Sequence, residues 1–151
     1  MVNIKECLTT DIEILAELNK MLIEDEKANN TMDIKQLKER MIDFFNSGYK
    51  AYYFTGKHNE ILGYALCDIN KTPIYLRQFF INREVRRKKY GQIAFKKLLE
   101  YIKTDKAEID VYVWNNIGIE FWKSLGFENK YIHMTYEKNN IRKYVTAPRG
   151  K

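Results

Sequence analysis

Four consecutive cations, Arg86, Arg87, Lys88 and Lys89, run directly into Tyr90 and Gly91. Before them lies an apolar stretch, Tyr75-Leu76-Arg77-Gln78-Phe79-Phe80-Ile81, rich in the aromatic and β-branched residues of a buried strand. After them, Ala94, Phe95, Leu98, Leu99 and Ile102 recur at three- and four-residue spacing, the mark of an amphipathic helix. A strand that feeds cations and a glycine into a helix N-terminus builds an anion site. The first N–H groups of a helix lack intrahelical acceptors and sit at the positive end of its dipole. Gly91 has no Cβ to hold a ligand away from those donors. Phosphate is the natural occupant. A solvated basic turn or a nuclear-localisation-like cluster is the plainer reading of the same charges.

A second group of residues is Asn115-Asn116-Ile117-Gly118-Ile119-Glu120-Phe121-Trp122-Lys123-Ser124-Leu125-Gly126-Phe127. It reads as a short helix opened by asparagine, closed by Gly126 and thinned by Gly118, where a ligand chain could approach the backbone. Acid–base candidates are scattered. Glu24, Asp25 and Glu26 end an early helix, where a carboxylate could take a proton; an exposed acidic helix end is the alternative. Tyr75, Tyr112, Tyr131 and Tyr136 are proton donors in principle, though strand tyrosines mostly pack. His133 has a suitable unperturbed pKa, and His58 falls in a turn. Cys7 and Cys67 stand far apart, with no CxxC and no histidine cluster, so neither a disulfide nor a metal site is expected.

The elements that must position these residues follow from periodicity and caps. Residues 2–7 suit a first strand. Thr10-Asp11-Ile12-Glu13 has the capping-box pattern and opens a helix carrying Ile12, Leu15, Leu18 and Leu22. Asp33-Ile34-Lys35-Gln36 is a second box, before Leu37, Met41, Phe44 and Phe45, with Gly48 as the stop. Strands over 49–55 and 61–69 flank a turn at 56–60. Beyond the central helix, 109–113 and 131–137 alternate like strands, on either side of the short helix. The order is β-α-α-β-β-β-α-β-α-β, an α/β domain with a single mixed sheet over 1–147 and a loose tail at 148–151.

At 151 residues, 45% hydrophobic and 30% charged, the chain has the length and composition of one globular domain. No apolar run reaches membrane-spanning length and the N-terminus lacks a signal-peptide core, so a cytoplasmic protein is expected. The formal charge of +6 favours anionic ligands without naming one.

The two segments, in this order and within this succession of elements, resemble the GNAT acetyltransferase superfamily from residue 2 to about residue 138. The family's phosphate-loop pattern is Gln/Arg-x-x-Gly-x-Gly/Ala; Arg86 and Gly91 match its ends, and Lys89 replaces its first glycine. The second pattern is Asn-x-x-Ala-x-x-Phe-Tyr-x-x-x-Gly-Phe; Asn115, Phe121, Gly126 and Phe127 match, Gly118 replaces alanine, and Trp122 stands for the tyrosine that commonly protonates the departing thiolate. Indole is not a usable acid. Where some relatives carry a glutamate base on the strand before the loop, this chain has Arg77 and Gln78.

The resemblance implies an N-acetyltransferase that moves an acetyl group from acetyl-coenzyme A to a primary amine by direct attack. It implies cofactor contacts from Phe79, Phe80, Ile81, Arg86, Arg87, Lys88, Lys89, Tyr90, Gly91, Gln92, Asn115, Gly118, Phe121 and Trp122, and no metal. Glu24 and Asp25 are the candidate bases. The expected partner is a small-molecule or peptide amine, with a homodimer permitted and neither nucleic acid nor membrane expected. A coenzyme A sensor on the same fold is the alternative, ahead of a nucleic-acid binder built on the basic turn.

Overall fold

The computed structural model describes residues 1–139. The order is β1 (Asn3–Glu6), α1 (Ile12–Glu26), α2 (Ile34–Asn46), β2 (Tyr49–Thr55), β3 (Ile61–Asp68), β4 (Ile74–Ile81), α3 (Tyr90–Ile102), β5 (Ala107–Glu108) and α4 (Asn116–Ser124). One sheet runs β1-β2-β3-β4-β5. Its first four strands pair antiparallel and β5 lies parallel to β4. This is the single α/β domain with a mixed sheet that the sequence implies.

The sheet is covered on both faces, so β2 and β3 are apolar almost throughout. Alternation still sorts their side chains. Ala51, Tyr53, Tyr64, Leu66 and Phe80 meet Leu15, Leu18 and Leu22 of α1 and Met41 of α2. Tyr52, Phe54, Ala65, Cys67 and Leu76 meet Ala94, Phe95 and Leu98 of α3. The helices are stitched to the sheet by those two apolar clusters, one per face.

Caps follow the sequence at α2 and depart from it at α1. Gln36 N–H donates to Asp33 Oδ1 at 2.8 Å and Asp33 N–H to Gln36 Oε1 at 2.9 Å, closing the expected box. Gly48, at φ +88°, takes the left-handed turn after α2. Before α1, a 3-10 turn over Thr9–Asp11 intervenes, and Asp11 reaches back to accept from Leu8 N–H at 2.8 Å and from Tyr53 OH at 3.2 Å. The Thr10 box is not formed: the 3-10 turn moves the start of α1 to Ile12, and its N-cap Asp11 makes no side-chain bond into the helix.

Two strands differ from expectation. The strand expected at 109–113 is a two-residue ladder at Ala107–Glu108. Residues 131–137, where a strand is expected, join no ladder among the described residues, and Tyr131, Ile132, Met134 and Tyr136 are each more than three-quarters exposed. Alternation makes a strand only where a neighbour offers a ladder, and the neighbouring edge strand here is too short to offer one. The tail expected at 148–151 lies outside the described residues.

The connection from β4 to α3 is a 3-10 turn at Arg83–Val85 followed by two left-handed residues, Arg87 at φ +65° and Lys89 at φ +63°. Lys89 is the N-cap of α3. The loop therefore keeps the backbone shape that glycine would favour and makes a lysine adopt it.

Two outcomes are expected in chemical denaturation. Asp33→Ala should cost about 1 kcal/mol through the lost cap, and Thr10→Ala should cost much less because its hydroxyl caps nothing. Lys89→Gly should raise stability by about 0.5–1 kcal/mol, the relief of left-handed strain less glycine's greater unfolded-state entropy.

Candidate functional site

The β4–β5 ladder joins only Ile74 to Ala107 and Tyr75 to Glu108. Past that point β5 ends, and the second half of β4 is paired on one side alone, with β3 through Ile81. The free edge of β4 runs toward the α3 N-terminus. Within α3, Ile93 N–H donates to Lys89 C=O at 3.3 Å, so the amides of Tyr90, Gly91 and Gln92 come before the first turn closes. Arg87, Lys88 and Lys89 are exposed around them. Gly91 is also a packing requirement: a Cβ there would come within 3.0 Å of the Phe121 ring of α4.

The other expected cofactor residues are placed less openly. Arg86 does not reach into the loop. Its Nε donates to Ile81 C=O at 2.8 Å, its Nη2 pairs with Asp25, and its guanidinium lies over the Phe80 ring. Arg83 Nε donates to Asp25 at 2.8 Å and its Nη2 to Met21 C=O at 3.4 Å. The end of α1 is thus tied to the basic turn through Asp25. Asn115 caps α4, accepting from Gly118 N–H at 3.0 Å. Gly118 is needed for that cap, since a Cβ would lie 2.4 Å from Asn115 Nδ2. Phe121 and Trp122 are half-buried. Trp122 packs edge-on against Phe79, Phe95, Phe121 and Phe127, so the family's tyrosine position is held by an aromatic cluster.

On the other face of β4 lies a polar cavity of about 230 Å³. Its walls include Asn19 and Glu26 of α1, Arg40 and Phe44 of α2, Arg77 and Gln78 of β4, and Tyr112 beyond β5. Because Tyr112 belongs to the segment leaving β4, the cavity borders the gap between the parting strands. Its polar groups are held from behind. Asn19, 1% exposed, accepts from Arg40 Nη2 at 2.9 Å, and the buried Tyr64 OH donates to Gln78 Oε1 at 2.7 Å. A hollow of about 290 Å³ between β1 and α3, lined by Lys97, Glu100 and Tyr101 among others, brings together no comparable set of acids and bases.

The three carboxylates ending α1 have three different surroundings. Glu24 is exposed, 4.0 Å from Arg83. Asp25 bridges Arg83 and Arg86. Glu26 faces the cavity, where burial, reinforced by the negative charge of Asp25, pushes its pKa up to about 7. Trp114 Nε1 donates to Glu26 C=O at 3.0 Å and fixes the helix end. Glu26 is the residue that sequence reasoning left behind its two neighbours. Arg40 and Asn19 were missed altogether. Their signal was a polar residue within an apolar helical stripe: Asn19 stands between Leu15 and Leu22, and Arg40 between Leu37 and Phe44.

The remaining candidates are not brought into the site. His58 is exposed in the β2–β3 turn and His133 on the stretch 131–137. Tyr75 OH donates to Asp110 at 2.8 Å, away from the cavity lining. Cys7 and Cys67 are buried, and burial pushes both thiols up to about 12, far from a nucleophilic thiolate. Among the described residues no group of three or more metal-ligating side chains occurs, and no helix is long and apolar enough to cross a membrane.

Comparison with known proteins places this geometry. No curated protein sequence matches the chain. Solved structures do, at low identity. A possible acetyltransferase from Clostridium difficile 630 superposes with a TM-score of 0.71 at 16% identity, over 91% of this chain and 97% of that one. A predicted acetyltransferase from Clostridium acetobutylicum, solved with acetyl-CoA, gives 0.67 at 17% identity, over 89% and 96%. Ribosomal-protein-alanine N-acetyltransferase from Brucella melitensis biovar Abortus 2308 gives 0.69 at 10% identity, over 91% and 99%. These likenesses show the fold. The family model for the acetyltransferase (GNAT) family matches residues 16–127, which spans α1 to the end of the α4 motif. The chain belongs to the GNAT acetyltransferase family.

Proposed function

We propose that this chain transfers an acetyl group from acetyl-CoA to a primary amine by direct attack, with Glu26 as the base that takes the amine's proton. The observation that carries the reading is the cavity carboxylate itself: Glu26 alone of the α1 acids faces the polar cavity, and its pKa of about 7 suits proton transfer near neutrality. The free edge of β4 at Phe79, Phe80 and Ile81 is the place for the pantetheine arm, with a backbone N–H polarising the thioester oxygen. The pyrophosphate belongs at the amides of Tyr90, Gly91 and Gln92, with Arg87, Lys88 and Lys89 around it. Arg86 acts at one remove, by holding the end of β4 and the end of α1 together. Holding both reactants in register supplies much of the acceleration. The buried, high-pKa cysteines argue against an acyl-enzyme on either thiol.

The same fold could hold coenzyme A without turnover, and Trp122, an aromatic packing residue at the family's acid position, favours that second reading. Free-thiol release from acetyl-CoA across a panel of amines separates the two. Release that depends on an amine is expected. Coenzyme A binding with no release for any amine would establish the sensor instead.

Glu26→Gln should lower kcat ten-fold or more. In the parent the rate should fall below about pH 7 as Glu26 protonates, and the variant's profile should lack that limb. Asp25→Asn should keep the limb and act on the Michaelis constant for acetyl-CoA, by loosening Arg83 and Arg86. A pH–rate profile of each variant with one good acceptor decides.

The same shift has a consequence for stability that needs no substrate. A carboxylate whose folded pKa lies above its unfolded value near 4.5 is accommodated best when protonated. Its favourable contribution is complete below about pH 4.5 and is lost as pH rises through about 7. Relative to the parent, Glu26→Gln should therefore be more stable at pH 8 than at pH 4, measured by urea denaturation at both.

A further inference from the structure

Two guanidinium groups line the same cavity, and neither meets a carboxylate within ion-pairing distance among the described residues. Arg40 leans on the amide oxygen of Asn19, and its buried Nε has no hydrogen-bond partner. Arg77 Nε donates to the hydroxyl of Tyr49 at 3.0 Å, and its guanidinium lies 5.1–5.4 Å from the ring centres of Phe44, Tyr49 and Tyr75. Phe44 carries both cations, since Arg40 lies 5.5 Å from the same ring centre. Neutral oxygens and ring faces hold these groups in place without cancelling their charge. A partly buried cation with no counter-ion is costly, and a second cation beside it adds repulsion. Glu26 lines the same cavity but forms no ion pair with either arginine among the described residues.

We propose that the acceptor is an amine that also carries a carboxylate, bound by Arg40 and Arg77 while its amino group is presented to Glu26. This rests on the acetyltransferase reading above. The planar guanidinium fork matches a carboxylate with two parallel N–H···O bonds and leaves the rest of the molecule oriented. A cavity of about 230 Å³, comparable with the liquid volume of roughly eight waters, suits a molecule of amino-acid size. The arrangement also separates functions along the cavity, with cations on the α2 and β4 walls and the base at the end of α1. In the reaction the amine nitrogen forms the new C–N bond to the acetyl carbon and the thioester C–S bond breaks. The nitrogen's proton passes to Glu26, and coenzyme A leaves as thiolate and takes its proton from solvent.

The test uses the full chain, acetyl-CoA and pairs of amines that differ only at the acid: the standard α-amino acids, β-alanine and 4-aminobutyrate, each beside its own carboxamide. At least one pair should show kcat/KM ten-fold or more higher for the carboxylate. In Arg77→Gln that ratio should collapse toward one. Arg77 is exposed, so this variant keeps the test open even if Arg40→Gln does not fold. Carboxamides turned over as well as their carboxylates would overturn the proposal and leave the acetyltransferase reading intact. If no pair is turned over, calorimetry of the same pairs on coenzyme A-saturated protein decides. Binding confined to carboxylates and lost in Arg77→Gln would keep the anion clamp while the transferase reading fell. Equal binding within the pairs, or none, would sink the clamp.

Discussion

The parting of β4 from β5 is the constraint on which the rest of this structure hangs. Two paired residues are enough to set the parallel direction of β5 and too few to close the sheet. From Leu76 to Ile81 the edge of β4 has no strand neighbour among the described residues, while β3 pairs its other side through Ile81 with a register shift between Leu66 and Cys67. Next to that edge, on the α3 face, lies an aromatic cluster. Phe79 from β4, Phe95 from α3, and Phe121, Trp122 and Phe127 from α4 and its end form a continuous set of tilted and edge-on ring contacts. Such a set resists collapse, because rings that pack at fixed angles cannot be compressed without leaving their rotamers. Gly91 lets α3 approach Phe121 closely, so the N-terminus of α3 and the aromatic cluster are positioned by one contact.

The end of α1 meets that gap from the opposite face. Successive residues of a helix are rotated by about 100°. Three adjacent acids therefore cannot share a surrounding: Glu24 points to solvent, Asp25 to the arginines of the turn, and Glu26 into the cavity. The Asp25 bridges are partly exposed and contribute modestly to stability. Their larger effect is geometric. They couple the helix that carries the acceptor-side carboxylate to the loop that follows β4, and their negative charge adds to the burial that keeps Glu26 protonated below neutrality.

Much of this was legible in the residues alone. Two segments, the basic turn with its helix and the Asn115–Phe127 stretch, are local patterns whose spacing survives any tertiary context, and they led to the right family. The α2 box was likewise local, closing on itself at Asp33 and Gln36. What failed depended on partners distant in sequence. The box expected at Thr10 gave way to a 3-10 turn whose Asp11 accepts from Tyr53 OH, forty-two residues on. The strands at 109–113 and 131–137 alternate correctly, but a ladder needs a neighbour and β5 supplies only two residues. Asn115 and Arg86 match the family patterns, and in the structure their side chains also cap α4 and bridge to Asp25, contacts that the patterns do not announce. The cavity was invisible because Asn19, Glu26, Arg40 and Arg77 come from three elements and form no motif.

The replacement of tyrosine by tryptophan at position 122 is intelligible once the proton demands of the two reactants are separated. A departing thiolate is a stable anion near neutrality, since a free thiol has a pKa of about 8.5. It can leave without an acid and be protonated afterwards by solvent. An amine cannot attack until it has lost a proton, and the ammonium gives that proton up reluctantly at pH 7. The demanding side of the proposed reaction is therefore the acceptor side, which is where the proposed mechanism places Glu26, whose pKa burial raises to about 7. In the proposed reaction the donor side asks no acid of position 122, where an indole ring packs against Phe79, Phe95, Phe121 and Phe127 at once. A phenol there would give up part of that contact for a proton the leaving group does not need.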